Sequence, residues 1–208
     1  MPAALEQVVF QIGITAFLIL VAYYGTEAYA AYGIGVQILS FSFVIGFGFS
    51  IAGATLVGQH LGAKNQDQAR RAGWGAMRLS IISMTFFGVV ITIFAESLAR
   101  FMIDNDEVVR LTVIFILLLG SMQPLMAIEF SLGGALRGAG DTKTPLAITL
   151  TCLLFIRVFL ALIFFLLDAR IEIIFSTLVA DYVVKGFLYI ARFRSDRWMT
   201  AMKAKEGN

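Results

Sequence analysis

Six apolar runs, at roughly residues 3–24, 30–57, 76–94, 109–135, 145–167 and 171–191, constrain this chain more than any other feature. A helix rises about 1.5 Å per residue, so each run can cross a hydrocarbon layer of about 30 Å, the shorter ones with help from their flanks. Strand-type alternation is absent from these runs, so helices are expected rather than a barrel. Charged residues make up 14% of the chain and mean hydropathy is +0.86. A soluble domain carries about 25% charged residues, and one of this length has too little interior for so much apolar surface. The expected fold class is therefore an all-α integral membrane protein, a single six-transmembrane-helix bundle with a basic tail over residues 192–208. The opening residues lack a basic region and a small-residue cleavage site, so no signal peptide is expected. The single cysteine, Cys152, excludes an internal disulfide.

Lysine and arginine placement sets the orientation. Lys64, Arg70, Arg71, Arg137, Lys143 and the tail cations fall on one side, and Arg100, Arg110 and Arg170, offset by acids, on the other. The first side is expected to be cytoplasmic, with both termini there and the chain in the cell membrane. Basic residues on that side suit anionic lipid rather than nucleic acid.

Within the runs, spacing marks particular faces. Gln7, Gln11 and Thr15 recur every fourth residue, which predicts a polar stripe turned toward protein or water, with Glu6 at its entrance. Ser42, Gly46, Ser50, Ala54, Gly58 and Gly62 form a ridge of small residues, either a helix-packing seam or a sliding surface. Asn65 and Gln68 read as a capping pair opening a short interfacial helix. His60, the only histidine, reads as an interfacial hydrogen-bonding residue rather than a proton switch. Pro124 predicts a kink in the fourth run, near Gln123 and Glu129. The connection LRGAGDTKTP, residues 136–145, ends one helix at its glycines and starts the next, with Thr144 expected as cap before Pro145.

Glu6, Glu129, Arg157, Asp181 and Lys185 lie at or within the runs. Asp, Lys or Arg at the centre of a bilayer costs roughly 2.5–3.5 kcal/mol or more on insertion scales, so these side chains are expected to avoid lipid. Counted along their helices, Arg157 and Asp181 reach similar depth near the midplane, which predicts a contact between them with Lys185 one turn away. That contact is either a structural ion pair or part of a proton or cation relay. Glu6 and Glu129 are shallower. Each can bind a proton or an organic cation, or simply face an aqueous vestibule. No nucleophile–base set, metal-ligand cluster or phosphate loop is present in the sequence, so neither an enzyme nor a cofactor is expected.

Several segments carry a family resemblance. GATLVGQHLGA at 53–63, LRGAGDTKTP at 136–145, the opening PAALEQ, YAAYGIGVQI at 29–38 and the tail RFRSDRW stand in the order found in MATE (multidrug and toxic compound extrusion) transporters. Together they cover nearly the whole chain, which resembles the carboxy-terminal six-helix lobe of that family. The resemblance implies a twelve-helix transporter of two such lobes, exporting amphiphilic or cationic organic compounds and drugs in exchange for H+ or Na+. It implies a second six-helix lobe as partner, in the same longer chain or another subunit. Glu6 and Glu129 stand on the helices where some members carry ion-binding carboxylates, while the acids of the opposite lobe are absent here. The rival expectations are a non-transporting packing subunit, a truncated fragment, and a lipid-precursor flippase-like protein.

Overall fold

The computed structural model describes residues 2–200, which contain helices and no strand. Helix α1 spans Pro2–Ala22, α2 Thr26–Gly62, α3 Gln66–Ile93, α4 Ala95–Met102, α5 Asp106–Ser121 and α6 Gln123–Gly138. Next come α7, Lys143–Thr151, a π-helical turn over Cys152–Val158 and α8, Phe159–Leu166, which run on as one rod. Helix α9 spans Ile171–Arg194 and a 3-10 turn follows at Arg197–Thr200. Counting that rod as one, five helices are long and apolar enough to cross a membrane. The α5–α6 pair, bent by 54°, makes a sixth crossing when read as one broken span. The kink expected at Pro124 is thus a complete break. Proline stands in the first turn of α6, where its missing N–H needs no partner.

Polar side chains fix several helix starts. Asn65 Oδ1 accepts from the Gln68 N–H at 3.1 Å. Asn105 Oδ1 accepts from the N–H groups of Glu107 and Val108 at 3.0 and 3.1 Å. The Asn65 cap does not open a short separate helix. The helix it starts is α3, which continues to Ile93, because no proline interrupts the segment and Gly73 is held against the Phe193 ring. Helix α2 also begins before the second apolar run, which starts near residue 30. Gly25, at φ 108°, closes the turn after α1, and Thr26 and Glu27 already belong to α2.

Two large packed regions and a smaller one around Met84, Met126 and Ala127 hold the bundle. One large region joins Phe17, Tyr32, Phe115 and Phe175, whose rings meet in sequence at 5.8, 5.2 and 5.2 Å. The other gathers Leu132, Leu136, Tyr189, Phe193 and Trp198. Trp198 stacks on Phe193 at 4.6 Å and donates Nε1–H to its carbonyl at 2.8 Å. Large apolar side chains such as Phe41, Val44, Ile51, Ile82, Phe86 and Phe155 point outward, as lipid-facing helix surfaces do. At one end of the bundle, α4 and α5 are joined by Arg100. Its hydrogen bonds to Asp106 and then to Glu96 raise the guanidinium pKa above its ordinary value.

The small-residue ridge of α2 packs along α6. A Cβ added at Gly134 would overlap the Ser50 backbone, and one at Gly138 the Ala54 backbone. Gly46 faces the Phe130 ring, and Gly58 lies against the Gly138 carbonyl. Ser42, Gly46 and Ser50 are buried, and Ala54 and Gly58 partly so. The close approach of two helices needs glycine at these crossings.

Candidate functional site

The α2–α6 seam forms one wall of a cavity of about 570 Å³, within the range of small-molecule sites. Helix α1 contributes Glu6, Gln7 and Phe10, and α2 contributes Phe43, Phe47 and Ser50. Glu129, Phe130 and Arg137 come from α6, Thr149 from α7, and Tyr182 and Tyr189 from α9. With Ile14, Val36 and Met126 the lining is largely apolar and rich in aromatic rings, interrupted by two carboxylates and one guanidinium.

Each carboxylate has its own partners. Glu6 Oε1 accepts from Arg137 Nη1 at 2.9 Å and from the Thr149 hydroxyl at 3.3 Å, so it ties α1 to α6 and α7. Arg137 Nη2 also donates to Ser50 Oγ at 3.4 Å. Glu129 Oε1 lies 3.5 Å from Lys185 Nζ, which lies 3.1 Å from Asp181 Oδ2. Arg157 Nε approaches the same Asp181 oxygen at 3.5 Å. The contact that equal depth predicts between Arg157 and Asp181 is present. Neither Asp181 oxygen has an aligned hydrogen bond, so its hold on the two cations is a Coulombic contact. Tyr182 lies beside both cations, its ring centroid 5.6 Å from Arg157 Cζ and 5.4 Å from Lys185 Nζ. The side chains of Asp181 and Lys185 are 0% and 1% exposed and that of Glu129 19%, so the cluster runs from the interior to the cavity wall.

Arg157 is carried on the π turn of residues 152–158. A π turn widens the helix by one residue, shifts the face that a side chain occupies, and recurs at functional positions. Arg157 is thereby directed at α9, with Phe17 on its other side at 5.9 Å.

The polar stripe of α1 divides. Gln7 reaches the cavity, while Gln11 is exposed outside it, with its carbonyl accepting the Thr15 hydroxyl at 2.9 Å. The cavity face of α1 follows Glu6, Phe10 and Ile14, so Gln11 and Thr15 fall beside it. Arg137, which the sequence offers only as a membrane-flanking charge, lines the cavity. Its signal was in the spacing: Glu129, Gly133 and Arg137 are successive fourth residues on one face of α6. Tyr182 and Tyr189, seven residues apart and so on one face of α9, form its part of the wall.

Apart from Arg137, which lines the cavity, the LRGAGDTKTP connection works as a clamp. Asp141, rather than Thr144, is the cap: Asp141 Oδ1 accepts from the Thr144 N–H at 3.2 Å and from its hydroxyl at 2.9 Å. Asp141 Oδ2 accepts from Arg192 Nε and Nη2 at 2.9 and 2.7 Å, which ties the α6–α7 turn to the end of α9. Gly140, at φ 83°, supplies the left-handed residue that the turn requires.

Residues 2–163 match the family model MatE. The chain belongs to the MatE family. Among its relatives, the probable multidrug resistance protein NorM of Thermotoga maritima is 32% identical over 206 residues, covering 95% of this chain and 43% of the relative. A probable multidrug resistance protein NorM of Pasteurella multocida is 29% identical over 128 residues, 62% of this chain and 28% of that protein. The solved structure of the MATE transporter ClbM in complex with Rb+ superposes with TM-score 0.88 at 21% identity, over 96% of this chain and 48% of that one. A MOP superfamily transporter from Pyrococcus furiosus, described as having a binding pocket of reversed polarity, gives TM-score 0.80 at 21% identity, over 90% of this chain and 42% of that one. The MATE chain described here thus spans less than half the length of these relatives. The two solved structures establish a shared fold with it.

Proposed function

We propose that the chain is one six-helix lobe of a multidrug exporter that expels amphiphilic, often cationic, organic compounds in exchange for H+ or Na+. One observation carries this reading: two carboxylates, Glu6 and Glu129, stand on the wall of a cavity lined by aromatic rings. Aromatic faces attract an organic cation and its apolar body together, and a carboxylate supplies the counter-charge. Here each carboxylate already has a cationic partner, Arg137 or Lys185. An arriving cation competes with that partner, and a proton on the carboxylate removes the reason for either to stay. Exchange of substrate for coupling ion follows from this competition. Alternating access comes from rocking against a second six-helix lobe, in the same longer chain or another subunit. The lysine and arginine distribution supports a cell-membrane protein with both termini in the cytoplasm. The small-residue ridge, compatible with both the exporter and the packing-subunit readings, is used inside the lobe, between α2 and α6.

The test is efflux of a fluorescent organic cation from cells carrying this chain alone, and with a partner lobe. Efflux is expected only with the partner, reduced about tenfold or more in Glu6→Gln or Glu129→Gln. A loss of that size corresponds to about 1.4 kcal/mol. No efflux in either arrangement would reject the exporter reading.

A further inference from the structure

We propose that Lys185 is a built-in cation, occupying between Glu129 and Asp181 the position that a coupling alkali-metal ion would need, so that this cluster takes no sodium while the lysine is present. The two carboxylates belong to different helices, α6 and α9, and the ammonium lies between them, 3.5 Å from Glu129 Oε1 and 3.1 Å from Asp181 Oδ2. Arg157 meets Asp181 from the π turn at 3.5 Å. Two acids therefore face two cations, and the cluster is formally neutral. A metal ion entering it would gain no net counter-charge and would meet two positive charges within a few ångströms, in an interior that screens them poorly. Asp181 Oδ1 is buried and has no hydrogen-bond partner, so oxygen for a hard cation is at hand once the ammonium is gone. Tyr182 beside both cations adds a face suited to an ammonium or guanidinium. The consequence for coupling rests on the exporter reading: any sodium step would have to use carboxylates other than the Glu129–Asp181 pair. The binding claim does not depend on transport.

The full chain is purified in detergent, and its melting temperature is measured in NaCl and in choline chloride at equal ionic strength. The unaltered chain and Lys185→Arg are expected to melt alike in the two salts. Lys185→Ala is expected to gain a saturable sodium-dependent rise of about 5 °C at a hundredfold excess over its Kd, lost again when Glu129→Gln is added. A saturable sodium effect in the unaltered chain that Glu129→Gln abolishes would overturn the proposal. So would a folded Lys185→Ala chain, judged by circular dichroism, that melts alike in both salts. If Lys185→Ala does not fold in choline, sodium or ethylammonium is expected to restore it by refilling the gap, and failure of both would also overturn the proposal. Loss of dye efflux, by contrast, would reject the exporter reading and leave this binding result standing.

Discussion

Asp181 shows how the buried charges depend on one another. Its carboxylate is the only anion of the cluster in contact with both Arg157 and Lys185. Asp181→Asn leaves two buried cations short of counter-charge, which is expected to cost roughly 3–5 kcal/mol, read as a lower melting temperature in detergent. Adding Arg157→Gln should recover part of that loss, because the neutral amide no longer needs a buried anion. Unchanged melting in Asp181→Asn would show that the cluster contributes little to the fold. Glu6 is expected to behave differently. It lies at the cavity wall with a single ion pair to Arg137, so its neutralisation should affect transport more than stability. At this scale the sequence was partly legible. Opposite charges at equal depth on neighbouring helices pointed to Arg157 and Asp181. Glu129 and Lys185 were seen separately, because pairing them requires knowing that α6 packs against α9. The Arg137–Glu6 pair was not legible, because a count of membrane-flanking charges gives a side of the membrane and no partner.

Between helices, the α2–α6 crossing and the Asp141 clamp carry separate expectations. Gly134→Val would push a branched side chain into the Ser50 backbone, which cannot move without shifting α2. A loss of about 3 kcal/mol is expected, measured as a lower melting temperature and poorer recovery of folded protein. Gly62→Ala, where a Cβ meets open space, should change neither. Asp141→Ala removes both the α7 cap and the tie to Arg192. The cap alone is worth roughly 0.5–2 kcal/mol, and Asp141→Asn should retain most of that part. The fourfold spacing of small residues in α2 disclosed the seam. It did not disclose the partner, whose Gly138 stands in the LRGAGDTKTP connection and whose Gly134 lies one turn earlier. Helix α3 was read as two pieces because its first turns are charged and its later ones apolar. Composition changed there while the backbone had no reason to stop.

For the molecule as a whole, the excess of apolar residues led directly to the helical membrane fold, and the ordered motifs to the family. The cavity was not legible, since α1, α2, α6, α7 and α9 meet there from distant parts of the chain. The chain is under half the length of the relatives it matches, and the proposed transport cycle calls for a second lobe. The most direct test reconstitutes the chain with such a lobe in liposomes and follows transport of a fluorescent organic cation under an imposed H+ or Na+ gradient. The expected result is transport that requires one of these gradients and is lost in Glu129→Gln. Transport that ignores both gradients and survives in both Glu6→Gln and Glu129→Gln would contradict the exporter account.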